Sequence, residues 1–270
     1  MERLFAEKRI HVPNSTHPFC YTYKVRHCNK QGTVWRQPMT YVMSDLHGMY
    51  QKFLAMLRLI RFGAQDELYL LGDIVDRGEE PVRLLEAICE RSNIIPLLGN
   101  HEVMAICLLR RLQTEISEES ISTVLTKNTL YALSIYLENG GGTTLREFSK
   151  LPLQKRELLL EYLESFLPYE AIDVGENSFV LVHAGLGNFK IHKKFSEYTL
   201  PELLEMRPDY TKQYFPQDNI YIVSGHTPTP FLHGKPEIYR SNHNIVIDCG
   251  AAIGGRLACL RLEDMQEFYL

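Results

Sequence analysis

A strand–helix–strand–helix–strand alternation between Thr40 and Leu98 constrains this chain more than any other feature. Tyr41 to Ser44, Leu68 to Leu71 and Ile94 to Leu98 are short, mostly apolar runs, of the length of buried strands. Between the first two, Phe53, Leu54, Leu57 and Ile60 mark the apolar face of a helix starting near Met49. A second helix is expected over roughly 80–91. Strands alternating with helices imply a parallel sheet with right-handed crossovers. Such sheets carry their chemistry just beyond the carboxyl ends of the strands, and each of these strands runs into a glycine-flanked polar turn.

Five short patterns hold the polar residues. They are Ser-Asp-Leu-His-Gly at 44–48, Gly-Asp-Ile-Val-Asp-Arg-Gly at 72–78, Gly-Asn-His-Glu at 99–102, His-Ala-Gly-Leu at 183–186 and Gly-His-Thr-Pro at 225–228. Asp45, His47, Asp73, Asn100, His183 and His226 supply oxygen or imidazole donors from these turns. A lone Asp-x-His, or one histidine ending an apolar strand, is ordinarily structural. Six suitable donors at strand ends form the ligand set of a site for two transition-metal ions. Without thiolate, such a set suits manganese, iron, zinc, cobalt or nickel, with manganese preferred here. Two ions about 3.5–4 Å apart clamp a phosphate and hold a bridging hydroxide, so the pattern indicates a metal-dependent phosphoesterase. Asp73 has two oxygens and is the candidate bridge. His101 is placed to protonate a departing oxygen, and Asp76 to orient that imidazole; the plainer role for Asp76 is a cap on the following helix. Arg77 presents a planar fork for phosphate oxygens. Arg207 is a second candidate clamp or an exposed surface arginine.

Composition narrows the class. With 29 basic and 33 acidic residues the net charge is −4, so no general nucleic-acid-binding surface is expected; a bound metal sets its own local field. No segment has the roughly 20 apolar residues of a membrane helix, and the charged N-terminus lacks a signal-peptide core. The cysteines at 20, 28, 89, 107, 249 and 259 form no Cys-x-x-Cys pair. Reduced thiols in a cytoplasmic protein are the expectation, with Cys249 serving packing.

The rest reads as one domain over 1–270. Residues 1–39 form an extension in which Phe19, Tyr21, Tyr23 and Val25 alternate with polar neighbours, the pattern of a β-hairpin. Residues 103–170 read as a helical cap, with helices over 103–112, 121–137 and 154–166. Asn139-Gly-Gly-Gly142 interrupts the cap, either as a mobile connector or to let backbone approach a substrate closely. Strands are expected again at 178–183, 221–224, 244–248, 257–262 and 267–270, in a largely antiparallel or mixed sheet facing the first.

The first three patterns closely resemble those of the phosphoprotein phosphatase family within the calcineurin-like metallophosphoesterases. The second and third match fully; in the first, Ser44 replaces a leading glycine. His183-Ala-Gly-Leu and Gly225-His-Thr-Pro resemble bacterial-type members. The resemblance covers about 40–262. It implies a four-layer α/β/β/α sandwich with two central mixed sheets. It further implies that Asp45, His47 and Asp73 hold one ion and that Asp73, Asn100, His183 and His226 hold the other. His101 would be the proton donor supported by Asp76, and Arg77, Arg207 and Asn100 would bind substrate. The leading expectation is a protein serine/threonine phosphatase using in-line attack by a metal-bridging hydroxide. A symmetrical dinucleoside tetraphosphatase, acting on diadenosine tetraphosphate or nucleotide-capped RNA, is the enzymatic alternative. A non-catalytic scaffold is the alternative of another class. The substrate is thus expected to be a phosphorylated protein or a small phosphoester or nucleotide, without a membrane partner.

Overall fold

The computed structural model describes residues 37–113 and 126–270. The expected hairpin within 1–39 and the start of the helix expected at 121 lie outside the described residues.

The N-terminal alternation folds as its spacing requires. Strands β1 (Thr40–Met43), β2 (Glu67–Leu70) and β3 (Ile94–Pro96) are linked by helices α1 (Tyr50–Leu59) and α2 (Pro81–Cys89). They pair in parallel, with Tyr41 opposite Leu68 and Leu68 opposite Ile94. Alternate residues face opposite sides of a strand. Val42, Tyr69 and Leu71 therefore enter the central core, while Tyr41, Met43, Leu68 and Leu70 are buried on the other face.

Two five-stranded sheets result, in orders β10-β9-β1-β2-β3 and β4-β5-β6-β8-β7. The second contains β4 (Tyr169–Val174), β5 (Asn177–Val182), β6 (Ile220–Ser224), β7 (Tyr239–Ser241) and β8 (Asn244–Val246). Within it β5, β6 and β8 run parallel, flanked by antiparallel β4 and β7. Each sheet thus has three parallel strands with antiparallel neighbours. Phe179, Leu181, Val223 and Ile245 meet Val42, Tyr69, Ala258 and Leu260 in one buried cluster that joins the sheets, with Cys249 packed among them. Helices α1 and α2 bury Phe53, Met56, Leu84, Leu85 and Ile88. On the second sheet, Phe195 stacks on Tyr169 at 4.7 Å. This is the expected sandwich of two mixed sheets between helices.

Three expectations change. The last strands, β9 (Ala258–Arg261) and β10 (Glu267–Tyr269), return to the first sheet, where Leu260 pairs with Val42. Alternation shows that a strand has a buried face but not which partner it takes. The strand β4 begins at Tyr169, inside the stretch read as cap, and hairpins with β5. The Gly-Gly-Gly stretch is more than a connector, because α5 (Gly142–Phe148) starts on its last glycine. The cap comprises α3 (Asn100–Leu112), α4 (Lys127–Glu138), α5 and α6 (Leu153–Glu164). Among the described residues no helix is long and apolar enough to cross a membrane.

Candidate metal centre and proton-donor dyad

The turns after β1 and β2 are stitched to each other through their backbones. The Asp45 amide donates to the Gly72 carbonyl at 3.2 Å, that of His47 to Asp73 at 2.8 Å, and that of Gly48 to Ile74 at 2.7 Å. The turn after β6 joins from the second sheet: the Gly225 amide donates to the His183 carbonyl at 2.7 Å, and the His226 amide to Asp45 Oδ2 at 3.0 Å. A Cβ on Gly225 would collide with Ser44 and Asp45, so only glycine allows this approach. Asp45, His47, Asp73, Asp76, Arg77 and His226 all have positive φ, between 40° and 71°. Each such non-glycine residue costs about 1–3 kcal/mol. The fold spends that strain where the donors must converge.

Asp73 lies at the centre. Its Oδ2 is 3.5 Å from His47 Nε2 and 3.8 Å from His101 Nε2, while Oδ1 is 3.4 Å from His183 Nε2. Two compact donor groups share it: His47, Asp73 and His101, and Asp73, His183 and His226, each with ligand atoms within 4.8 Å of one another. Asn100 Oδ1 is 3.0 Å from His183 Nε2. The carboxylate thus faces two ways, as a bridging ligand must.

Ring orientation follows from what the other nitrogen meets. His47 Nδ1 lies 3.1 Å from the Val75 carbonyl and His183 Nδ1 lies 2.6 Å from the Leu71 carbonyl. A carbonyl only accepts, so these nitrogens donate and each Nε2 turns its lone pair inward, the arrangement usual for metal-binding histidine. His226 is reversed: Nε2 donates to the Glu205 carbonyl at 3.2 Å, leaving Nδ1 as the lone-pair donor. The site attracts positive charge. Arg77 places Nη1 3.0 Å from His47 Nε2 and Nη2 3.0 Å from His101 Nε2. In this arrangement both Nε2 atoms accept from the guanidinium, so the Arg77 fork must turn aside before His47 binds an ion or His101 carries a proton on Nε2. With carboxylate and amide oxygens beside it and no thiolate, the donor set fits divalent transition metals.

Electrostatics separate His101 from the other histidines. Burial, reinforced by neighbouring positive groups, pulls His47 well below its usual value and His226 down to about 3; burial also lowers His183. For His101 burial opposes the charge too, but Asp73 and Asp76 outweigh it and the pKa rises. Three imidazoles are therefore held neutral, as ligands need, while the fourth retains a proton more readily. Asp45 and Asp73 are each pushed up to about 6, chiefly by burial.

His101 Nδ1 is 2.7 Å from Asp76 Oδ2. Asp76 does not cap α2, whose N-cap is Glu80. Arg207 is exposed just beyond the helix Leu200–Leu204, close enough to help lower His226 and Asp248. Asp45 is also gathered in, but its Oδ2 accepts from the His226 amide and the Ser44 hydroxyl. His101, rather than Asp45, completes the compact group with His47 and Asp73.

Four residues of the site carried no functional reading from sequence. Glu102, fully buried, accepts backbone amides of Asp73 and Gly99 on Oε2 and of Ile74 and Val75 on Oε1, at 2.7–3.2 Å. Its signal was available: an acid three residues after Gly99 has capping-box spacing. Asp248 ends its strand as the other site acids do, and burial, then Asp45, raises its pKa well above normal. Tyr136 and Thr144 both contact Asp76, with no local pattern to mark them.

The comparisons agree with this geometry. The model of the calcineurin-like phosphoesterase family matches residues 39–248. The asymmetrical bis(5'-nucleosyl)-tetraphosphatase PrpE of Bacillus mycoides is 26% identical over 83% of this chain and 91% of its own length. The symmetrical bis(5'-nucleosyl)-tetraphosphatase of Wigglesworthia glossinidia brevipalpis is 26% identical over 62% of this chain and 64% of its own. A crystal structure presented as a candidate diadenosine tetraphosphatase superposes with a TM-score of 0.59 at 17% identity, over 86% of this chain and 93% of the other. Given a family match spanning both sheets, and motif residues gathered where their carboxyl ends meet, this chain belongs to the calcineurin-like phosphoesterase family.

Proposed function

We propose that this phosphoesterase hydrolyses dinucleoside tetraphosphates, cleaving diadenosine tetraphosphate asymmetrically to ATP and AMP. The observation that carries the substrate is the likeness to asymmetrical tetraphosphatases over 83% of this chain and 91% of theirs. It moves the preference from the phosphoprotein substrate expected from the motifs to a small nucleotide. The greater coverage favours the asymmetrical relatives over the symmetrical one.

Asp73 would lie between two divalent ions, with Asp45 and His47 on one side and Asn100, His183 and His226 on the other. When bound, the ions supply the Lewis acidity that activates water and neutralises phosphate charge. The Arg77 guanidinium, whose Nη1 and Nη2 lie 3.0 Å from His47 and His101, would turn from those nitrogens to bind phosphate oxygens in bidentate fashion. Arg207 meets the substrate from the solvent side. Asp76 holds Nδ1 of His101, so that Nε2 delivers a proton to the departing oxygen. No covalent intermediate on the chain is required.

The test gives the manganese-loaded protein diadenosine tetraphosphate, a phosphoserine peptide and a phosphotyrosine peptide at equal concentration, with products separated by ion exchange. ATP and AMP in equal amounts, formed faster than phosphate from either peptide, are expected. Two ADP per substrate would assign symmetrical cleavage. Faster turnover of phosphoserine would return the protein phosphatase reading to first place. No turnover with any of the five candidate metals would favour a scaffold.

A further inference from the structure

We propose that Tyr136 and Thr144 of the cap are positioning residues that set Asp76, and through it the proton donor His101; this rests on the role of His101 in the reading above. Both hydroxyls converge on the same oxygen. The Tyr136 hydroxyl donates to Asp76 Oδ1 at 2.6 Å, and the Thr144 hydroxyl donates to Oδ1 at 2.6 Å. The other oxygen, Oδ2, is left for His101 Nδ1 at 2.7 Å. Thr144 Oγ1 also accepts the Asp76 backbone amide at 2.9 Å, so it holds both ends of the residue. Asp76 is fully buried, and Tyr136 and Thr144 are 1% and 2% exposed. A buried carboxylate with one oxygen doubly hydrogen-bonded has little freedom to rotate, and its second oxygen then fixes the imidazole.

The glycines between these two residues make the contact sterically feasible. A Cβ on Gly141 would run into the Tyr136 ring, and one on Gly140 would lie 2.7 Å from Arg77 Cγ. The Gly140 carbonyl accepts the Arg77 amide at 2.9 Å. The 136–144 segment therefore braces both Asp76 and the neighbouring arginine. Asp76 is 60 residues from Tyr136 and 68 from Thr144, so the cap and the catalytic turn are tied by these bonds and not by chain continuity.

The experiment compares kcat and KM of the manganese-loaded wild type, Tyr136→Phe, Thr144→Val, the double variant, Thr144→Ser and His101→Ala. It uses two phosphomonoesters: p-nitrophenyl phosphate, whose leaving group departs without a proton, and glycerol 2-phosphate, whose alkoxide needs one. For the double variant, kcat on glycerol 2-phosphate should fall by about 10–100-fold, part of the 10²–10⁴-fold that a general acid contributes. On p-nitrophenyl phosphate it should change by less than about 3-fold, with KM and metal content unchanged. Thr144→Ser, which keeps the hydroxyl, should restore the wild-type ratio. A ratio in the double variant equal to that of the wild type, while His101→Ala shows a steep one, would overturn the brace and leave the donor standing. Equal losses on both substrates, or loss of metal, would reduce Tyr136 and Thr144 to packing residues. A flat ratio in His101→Ala would remove the donor role and the brace with it. None of these outcomes depends on whether diadenosine tetraphosphate is a substrate.

Discussion

Asp73 and Asp45 are the residues on which metal loading should turn. Burial raises both carboxyls to about 6, while His47, His183 and His226 are already held neutral. The sign follows directly: above pH 6 every donor is in its binding form, and below it protons compete with the ions for the two carboxylates. Apparent metal affinity should therefore stay level from pH 8 to about 6.5. Below 6 it should fall roughly tenfold per pH unit for each proton displaced. Calorimetric titration at several pH values measures this, and an affinity unchanged between pH 6 and 5 would contradict it. The places of Asp73 and His101 in the site were legible in sequence because each sits in a short glycine-flanked pattern. Those of Tyr136, Thr144 and Asp248 were not, since what brings each of them into the site is a partner many residues away.

At the scale of elements, the turn after β2 and the first turn of α3 are one unit, with Glu102 as its pin. Four backbone amides, from Asp73, Ile74, Val75 and Gly99, point at its two oxygens. Glu102→Gln would aim an amide donor at some of those donors. Each buried group left unsatisfied costs about 1–3 kcal/mol, so the variant should lose roughly 2–4 kcal/mol in urea denaturation. Metal content should drop with it, because Asp73 loses its backbone anchor. Stability within about 0.5 kcal/mol of wild type would show that the turn holds itself. Helix α3 was expected from Val103 but starts at Asn100. Periodicity reports only the apolar residues of a helix, and this first turn is polar because it faces the site. The return of β9 and β10 to the first sheet had the same cause: a strand's own residues do not name its neighbour.

For the whole molecule, the site lies where two sheets must agree. Asp45 comes from the first sheet and His226 from the second, and their hydrogen bond spans 181 residues of chain. Ions that bind only this assembled state stabilise it by mass action, by about 2.7 kcal/mol at a hundredfold excess over Kd. For a protein of this size, removing them with a chelator should lower Tm by roughly 5–10 °C. Restored manganese should recover the shift, and a Tm indifferent to metal, with loss verified by elemental analysis, would separate the donor cluster from metal binding. The sequence alone marked the six candidate donors, the candidate pair His101 and Asp76, and the parallel strands of the first half, because strand ends, glycine turns and side-chain chemistry are local properties. Only the tertiary structure decided which sheet receives the last strands, that neighbouring acids raise the His101 pKa while burial lowers those of the other three histidines, and that Tyr136 and Thr144 of the cap hydrogen-bond to Asp76. Those outcomes depend on burial and on distances between remote residues, which exist only once the chain has closed on itself.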